Sequence, residues 1–148
     1  MGTKKYRLTG NHINIGSRIL YQIEALKDFG DVKAGDLGGY IESEENLSQY
    51  DNAWVFDNAR VYGNACVFGD AQIKSARDYI VFKNWWSSGR YFTWTRSNNM
   101  WKVGCFYGTG EELIKKAYND SEISGREYER IVRYVEEILE DNYGNKED

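Results

Sequence analysis

NAWVFDNARVYGNACVFGDAQIKS, residues 52–75, is the stretch on which the fold reading turns. Written in sixes it becomes NAWVFD, NARVYG, NACVFG and DAQIKS. Ala recurs at 53, 59, 65 and 71, and Val or Ile at 55, 61, 67 and 73. Asn or Asp leads every unit, and Phe56, Tyr62 and Phe68 follow the aliphatic position. The Ala and the aliphatic residue are two apart, so on an extended backbone they share a face. Asn, Asp and Gly tolerate left-handed backbone and supply the bend. A short strand and a bend, repeated every six, predict a hexapeptide-repeat β-solenoid of the left-handed β-helix type. Three units make one coil of such a helix, so four give little more than one. Ends that open need flanking segments or a second copy to cover them. This makes Phe56, Tyr62 and Phe68 candidate oligomerisation contacts in a dimer or trimer. The preceding NLSQYD, 46–51, holds the phase at Asn46 and Leu47 and loses it at Gln49.

Working outward, KKYRLTG and SRILYQIEAL alternate like strands, and AGDLGGYIES (34–43) holds a glycine-rich turn. Past the repeat, Tyr79 to Phe82, Tyr91 to Thr95 and Met100 to Tyr107 read as strands separated by polar turns. Thr109 with Glu112, and Ser124 with Glu127, fit capping boxes for helices over about 111–119 and 125–141. The second helix would set Tyr128, Ile131, Val132, Val135, Ile138 and Leu139 on one face. The predicted class is therefore α+β: a short β-solenoid, then a small antiparallel sheet with two C-terminal helices. The predicted division is 1–75 and 76–148.

Aromatics make up 16% of the 148 residues, enough to fill a core, so the chain is not read as disordered. The formal net charge of −4 carries no global nucleic-acid signature. Cys66 and Cys105 are far apart and form no disulfide framework, which points to a reducing cytoplasm. The N-terminus MGTKKYRLTGNHIN lacks the apolar run of a signal peptide, and no stretch is apolar enough for a membrane span.

Candidates for chemistry are sparse. His12 is the single histidine and has no Cys nearby in sequence, so a zinc site lacks ligands. Cys66 and Cys105 fit outward-facing and buried strand positions better than nucleophiles. Glu42, Glu44 and Glu45 form an acidic loop whose commoner meaning is a solvated turn. The run from Gly104 to Gly110 lacks the Lys of a phosphate-binding loop, and Thr109 capping its own helix explains it. No catalytic residue, metal or cofactor is expected.

Two segments suggest recognition. Between 77 and 102 lie Arg77, Lys83, Arg90, Arg96 and Lys102 against the one acid Asp78. Tyr79, Phe82, Trp85, Trp86, Tyr91, Phe92, Trp94 and Trp101 are interleaved with them. Basic and aromatic side chains together suit stacked bases or a nucleotide, and equally a protein interface. Arg90, Arg96, Lys102, Trp85, Trp86 and Trp94 are the binding candidates here. In a strand, Phe92 and Trp94 face one way and Thr93 and Thr95 the other. Both sets are core only if the sheet is covered on both faces. Residues 103–148 are acidic, 12 acids to 6 bases. Glu136, Glu137 and Glu140 on the last helix are candidates for docking onto a basic partner.

The run ALKDFGDVKAGDLGGYIESEENLSQYDNAWVFDNARVYGNACVFGDA resembles a hexapeptide-repeat family of phages and prophages, over about the first half of the chain. GRYFTW and MWKVGCFYGTGEELI resemble a small α+β domain of phage proteins. The resemblance implies a non-enzymatic accessory protein acting in the host cytoplasm. Its implied partner is a host defence protein or ribonucleoprotein, which it would bind and inhibit in the manner of an anti-CRISPR. A sponge for a nucleotide or nucleic acid and a structural assembly protein are the alternatives. Repeat acyltransferases have many coils and a catalytic His, and this chain departs from them on both counts.

Overall fold

The structure, a computed structural model, describes residues 4–141. The chain opens with a hairpin of β1 (Tyr6–Ile15) and β2 (Arg18–Ala25), followed by β3 (Leu37–Ile41). The repeat then contributes three strands of two residues each: β4 (Trp54–Val55), β5 (Arg60–Val61) and β6 (Gln72–Ile73). The first sheet has the order β1-β2-β3-β5 and is mixed, since β5 runs parallel to β3. β4 and β6 pair parallel in a separate two-stranded sheet, and Leu47 bridges Val67 in parallel.

The fold is α+β, and it contains no solenoid or β-helix, which corrects the sequence expectation. The reason is the shortness of the repeat. A strand one coil away is the only parallel partner a unit can find within the repeat, and four units supply one such pair, β4 with β6. The other two units recruit partners upstream, β5 pairing with β3 and Val67 with Leu47, so the repeat divides between two sheets. Their apolar face is nonetheless buried: Ala53, Ala59, Ala65, Ala71, Val55, Val61, Val67 and Ile73 all enter the first core with Tyr6, Ile23, Ile41 and Trp54. Gly38 and Gly39 on β3 permit this. A Cβ on Gly38 would lie 2.6 Å from the Val55 carbonyl oxygen, and one on Gly39 would lie 2.5 Å from that of Ala59. Any side chain there would push the repeat off the sheet.

The second sheet is antiparallel, in the order β10-β9-β8-β7: β7 (Tyr79–Lys83), β8 (Tyr91–Thr95), β9 (Met100–Val103) and β10 (Phe106–Gly108). Helices α1 (Gly110–Asp120) and α2 (Glu122–Glu140) follow. Thr109 caps α1, accepting from the Glu112 N–H while the Glu112 carboxylate accepts from the Thr109 N–H at 2.8 Å. α2 starts earlier than its sequence suggests. Ser121 is its N-cap and accepts from the Ser124 N–H at 3.0 Å, so Ser124 lies inside the helix. Gly125 is the residue that permits close packing there, since a Cβ would strike the Tyr118 ring.

The second sheet is covered on both faces. Phe92, Trp94, Trp101 and Val103 pack with Leu113, Ala117, Tyr128, Val132 and Val135 of the helices. On the other face Thr93 and Thr95 are buried, and Thr93 Oγ1 accepts from the Cys66 N–H of the repeat at 2.9 Å. β7 belongs to both layers. Tyr79 and Val81 pack on the first core, Ile80 and Phe82 on the second.

Candidate functional site

Covering both faces of the sheet removes most of the basic-aromatic segment from the surface. Trp94 is buried, its indole N–H donating to Asn99 Oδ1 at 2.8 Å. Arg96 donates to the buried Asp78 carboxylate at 2.9 Å, a structural tie between the end of the repeat and β8. Lys102 donates to the Gly104 carbonyl at 2.6 Å and lies 4.4 Å from the Phe68 ring centroid. A platform of successive stacked bases therefore has no ring to use at Trp94 or Trp101.

The repeat aromatics each carry a cation of their own chain. Lys74 sits over Phe56, Arg18 over Tyr62 and Lys102 over Phe68. Phe56 and Phe68 are half-buried, and Tyr62 is 36% exposed. With no solenoid, there are no open coil ends for them to stack. On α2, Glu136 accepts from Arg133, which also reaches Glu111 on α1. Those two hydrogen bonds raise the already high pKa of Arg133, and the Glu111 carboxyl is held below its usual range by the same guanidinium. Glu137 and Glu140 are exposed on the outer face.

The groups considered for chemistry are dispersed. His12 is exposed on β1, its Nδ1 3.2 Å from the Gly10 carbonyl. Burial pushes the Cys66 thiol above its ordinary pKa, which makes it a poorer nucleophile. Cys105 is exposed in the β9–β10 turn. Glu42 accepts from the Gly63 N–H at 2.9 Å and from Arg18 at 2.7 Å, and these bonds lower its carboxyl pKa. Glu44 pairs with Lys4 at 3.0 Å. The acidic loop thus fastens β2 and the N-terminus to the repeat. Among the described residues no group of three or more His, Cys, Asp or Glu could hold a metal. Among them, too, no helix is long and apolar enough to cross a membrane.

What remains at the surface converges on the β7–β8 connection, 84–90. The loop is fixed by its own bonds: the Asn84 N–H donates to the Arg90 carbonyl at 2.8 Å, and the Gly89 N–H to the Asn84 carbonyl at 2.9 Å. Asn84 Oδ1 accepts from the Ser87 N–H and hydroxyl. Trp86 turns inward, packs edge-on against Tyr128 at 5.0 Å and donates to Ser124 Oγ at 3.0 Å. Trp85 turns outward and is 71% exposed, braced edge-on by Trp86 at 6.0 Å. Ile123, 62% exposed, precedes Ser124 in the helix.

Beside Trp85 the loop, the β9–β10 turn and the helix pair enclose a cleft of about 280 Å³. Arg90 and Ser88 line it from the loop, Phe106 from β10, Lys116 from α1, and Ser124 and Tyr128 from α2. Burial raises the Tyr128 phenol pKa, while the Asn84 hydrogen bond and the Arg90 charge pull it the other way. Sequence reading named Arg90 and Trp85 but missed Lys116, Ser124 and Tyr128. Those three are helical residues with ordinary sequence roles, and only the packing of α1 against α2 turns them toward Arg90. No protein-family model matches the sequence, and no curated protein matches it.

Proposed function

We propose that the protein acts by binding, without turnover, to a protein of a host defence system, and that the surface around Trp85 is its docking face. One observation carries this reading. Of the eight aromatic residues interleaved through 77–102, Trp85 is the most exposed, at 71% against 44% for Tyr91, and the loop that holds it is internally hydrogen-bonded. A rigid, exposed Trp loses little side-chain freedom on binding, and Trp is enriched among residues that dominate interfaces. The defence setting comes from the sequence resemblance. The dispersal of His12, Cys66 and Cys105 favours binding over catalysis.

The test compares affinity captures from host lysate using the wild-type chain and Trp85→Ser. The change is at an exposed position, so the fold tolerates it. The expected result is a partner retained by the wild type and lost from the variant. The same proteins captured by both would rule out Trp85 as the docking residue.

A further inference from the structure

We propose that the cleft beside Trp85 is a separate binding site for a small organic phosphate of mononucleotide size, anchored by Arg90. The site presents donors, exposed at Arg90 and Ser88, that no acceptor among the described residues answers. Among the described residues the Arg90 guanidinium has no carboxylate within ion-pair distance, and no hydrogen bond from it is made. The one acid lining the cleft, Asp120, lies 3.6 Å from Lys116 and is answered by it. Ser88 Oγ accepts from the Arg90 N–H, and Ser124 Oγ accepts from the Trp86 indole. Each hydroxyl therefore still has its own hydrogen to give. A guanidinium and two hydroxyl hydrogens converging on one space call for an acceptor-rich ligand, and a phosphate with several oxygens meets that need.

Arg90 is also held for this role. Gly104 has φ +57° and lies directly beneath the guanidinium, where a Cβ would collide with Nη1. The side chain rests on bare backbone of the β9–β10 turn, and a side chain at 104 would shift the guanidinium. Phe106 and Tyr128 give the otherwise mixed wall an aromatic side, which suits a ring attached to the phosphate. Sites for drug-sized molecules run from about 300 to 1,000 Å³, so a cleft of about 280 Å³ matches a ligand of mononucleotide size.

The experiment is calorimetric titration of the full chain with AMP, GMP, CMP and UMP, with their nucleosides, and with inorganic phosphate. At least one nucleotide is expected to bind, its nucleoside at least tenfold more weakly. Arg90→Lys should weaken binding about tenfold, because a point charge replaces a fork, and Arg90→Glu should abolish it. Ser88→Ala offers a milder second variant with a smaller loss. Trp85→Ser should leave nucleotide binding unchanged, which separates this site from the docking face. Absence of binding by every nucleotide at millimolar concentration would overturn the proposal. So would equal binding of nucleoside and nucleotide, or nucleotide binding that survives Arg90→Glu.

Discussion

Lys5 shows how a single residue can carry a measurable signature of the fold. It is 1% exposed, and its ammonium donates to the carbonyls of Asp51 and Ala53 at 2.9 and 2.6 Å. Burial lowers its pKa from the ordinary 10.5 to about 8, although nearby Asp51 acts in the opposite direction. Between these two values the unfolded chain binds a proton that the folded chain has released. Stability contributed by Lys5 therefore rises as pH climbs from about 8 toward 10.5. Tyr6 and Tyr79 act oppositely. Burial raises both phenols, Tyr79 to about 12, so above pH 10 the fold keeps protons that the unfolded chain loses, and stability falls. Urea unfolding of wild type and Lys5→Met at pH 7 and pH 9.5 isolates the lysine. The wild type should gain on the variant at the higher pH. An unchanged difference would mean that Lys5 does not titrate with folding.

Among the elements, the junction after the repeat matters most to the site, because it sets where β7 and β8 begin. Ser75 to Asp78 form a single 3₁₀ turn with a capping box of their own. Asp78 is buried; its Oδ2 accepts from the Lys74 and Ser75 N–H groups at 2.7 and 3.1 Å, and its Oδ1 accepts from Arg96. One carboxylate thus ends the repeat and starts the sheet. Removing it takes a carboxylate acceptor from two part-buried N–H groups and from the Arg96 guanidinium. Asp78→Ala should cost about 3 kcal/mol in chemical denaturation, and Asp78→Asn less. A loss below about 1 kcal/mol for the alanine variant would show that the junction is held by packing instead.

The whole molecule is two cores joined by a shared strand. Because alternate residues of β7 pack on opposite sides, neither core keeps its full lining if the other melts. Unfolding should therefore be a single transition. Fluorine NMR of 5-fluorotryptophan-labelled protein can read Trp54 in the first core and Trp101 in the second separately. Their midpoints in urea should coincide, and two separated midpoints would show that the cores unfold independently.

Much of this organisation was already written along the chain. Period two in residues 52–75 determined which side chains go inward, because a strand alternates its faces whatever it pairs with. The Thr109–Glu112 spacing determined where α1 starts, since a capping box is a local hydrogen-bond pattern. Trp85 and Arg90 were among the binding candidates that composition offered, but nothing local separated them from Trp86, Trp94 and Arg96. Pairing could not be read this way. A period fixes faces and leaves partners open, so the sequence suggested a solenoid where the tertiary structure shares the repeat between two sheets. Burial of Phe92, Trp94 and Trp101 likewise depended on a second layer that local patterning does not encode. The cleft at Arg90 is the furthest from the sequence. Its walls come from a loop, a turn and two helices that meet only because Gly104 and Gly125 allow backbones and side chains to approach.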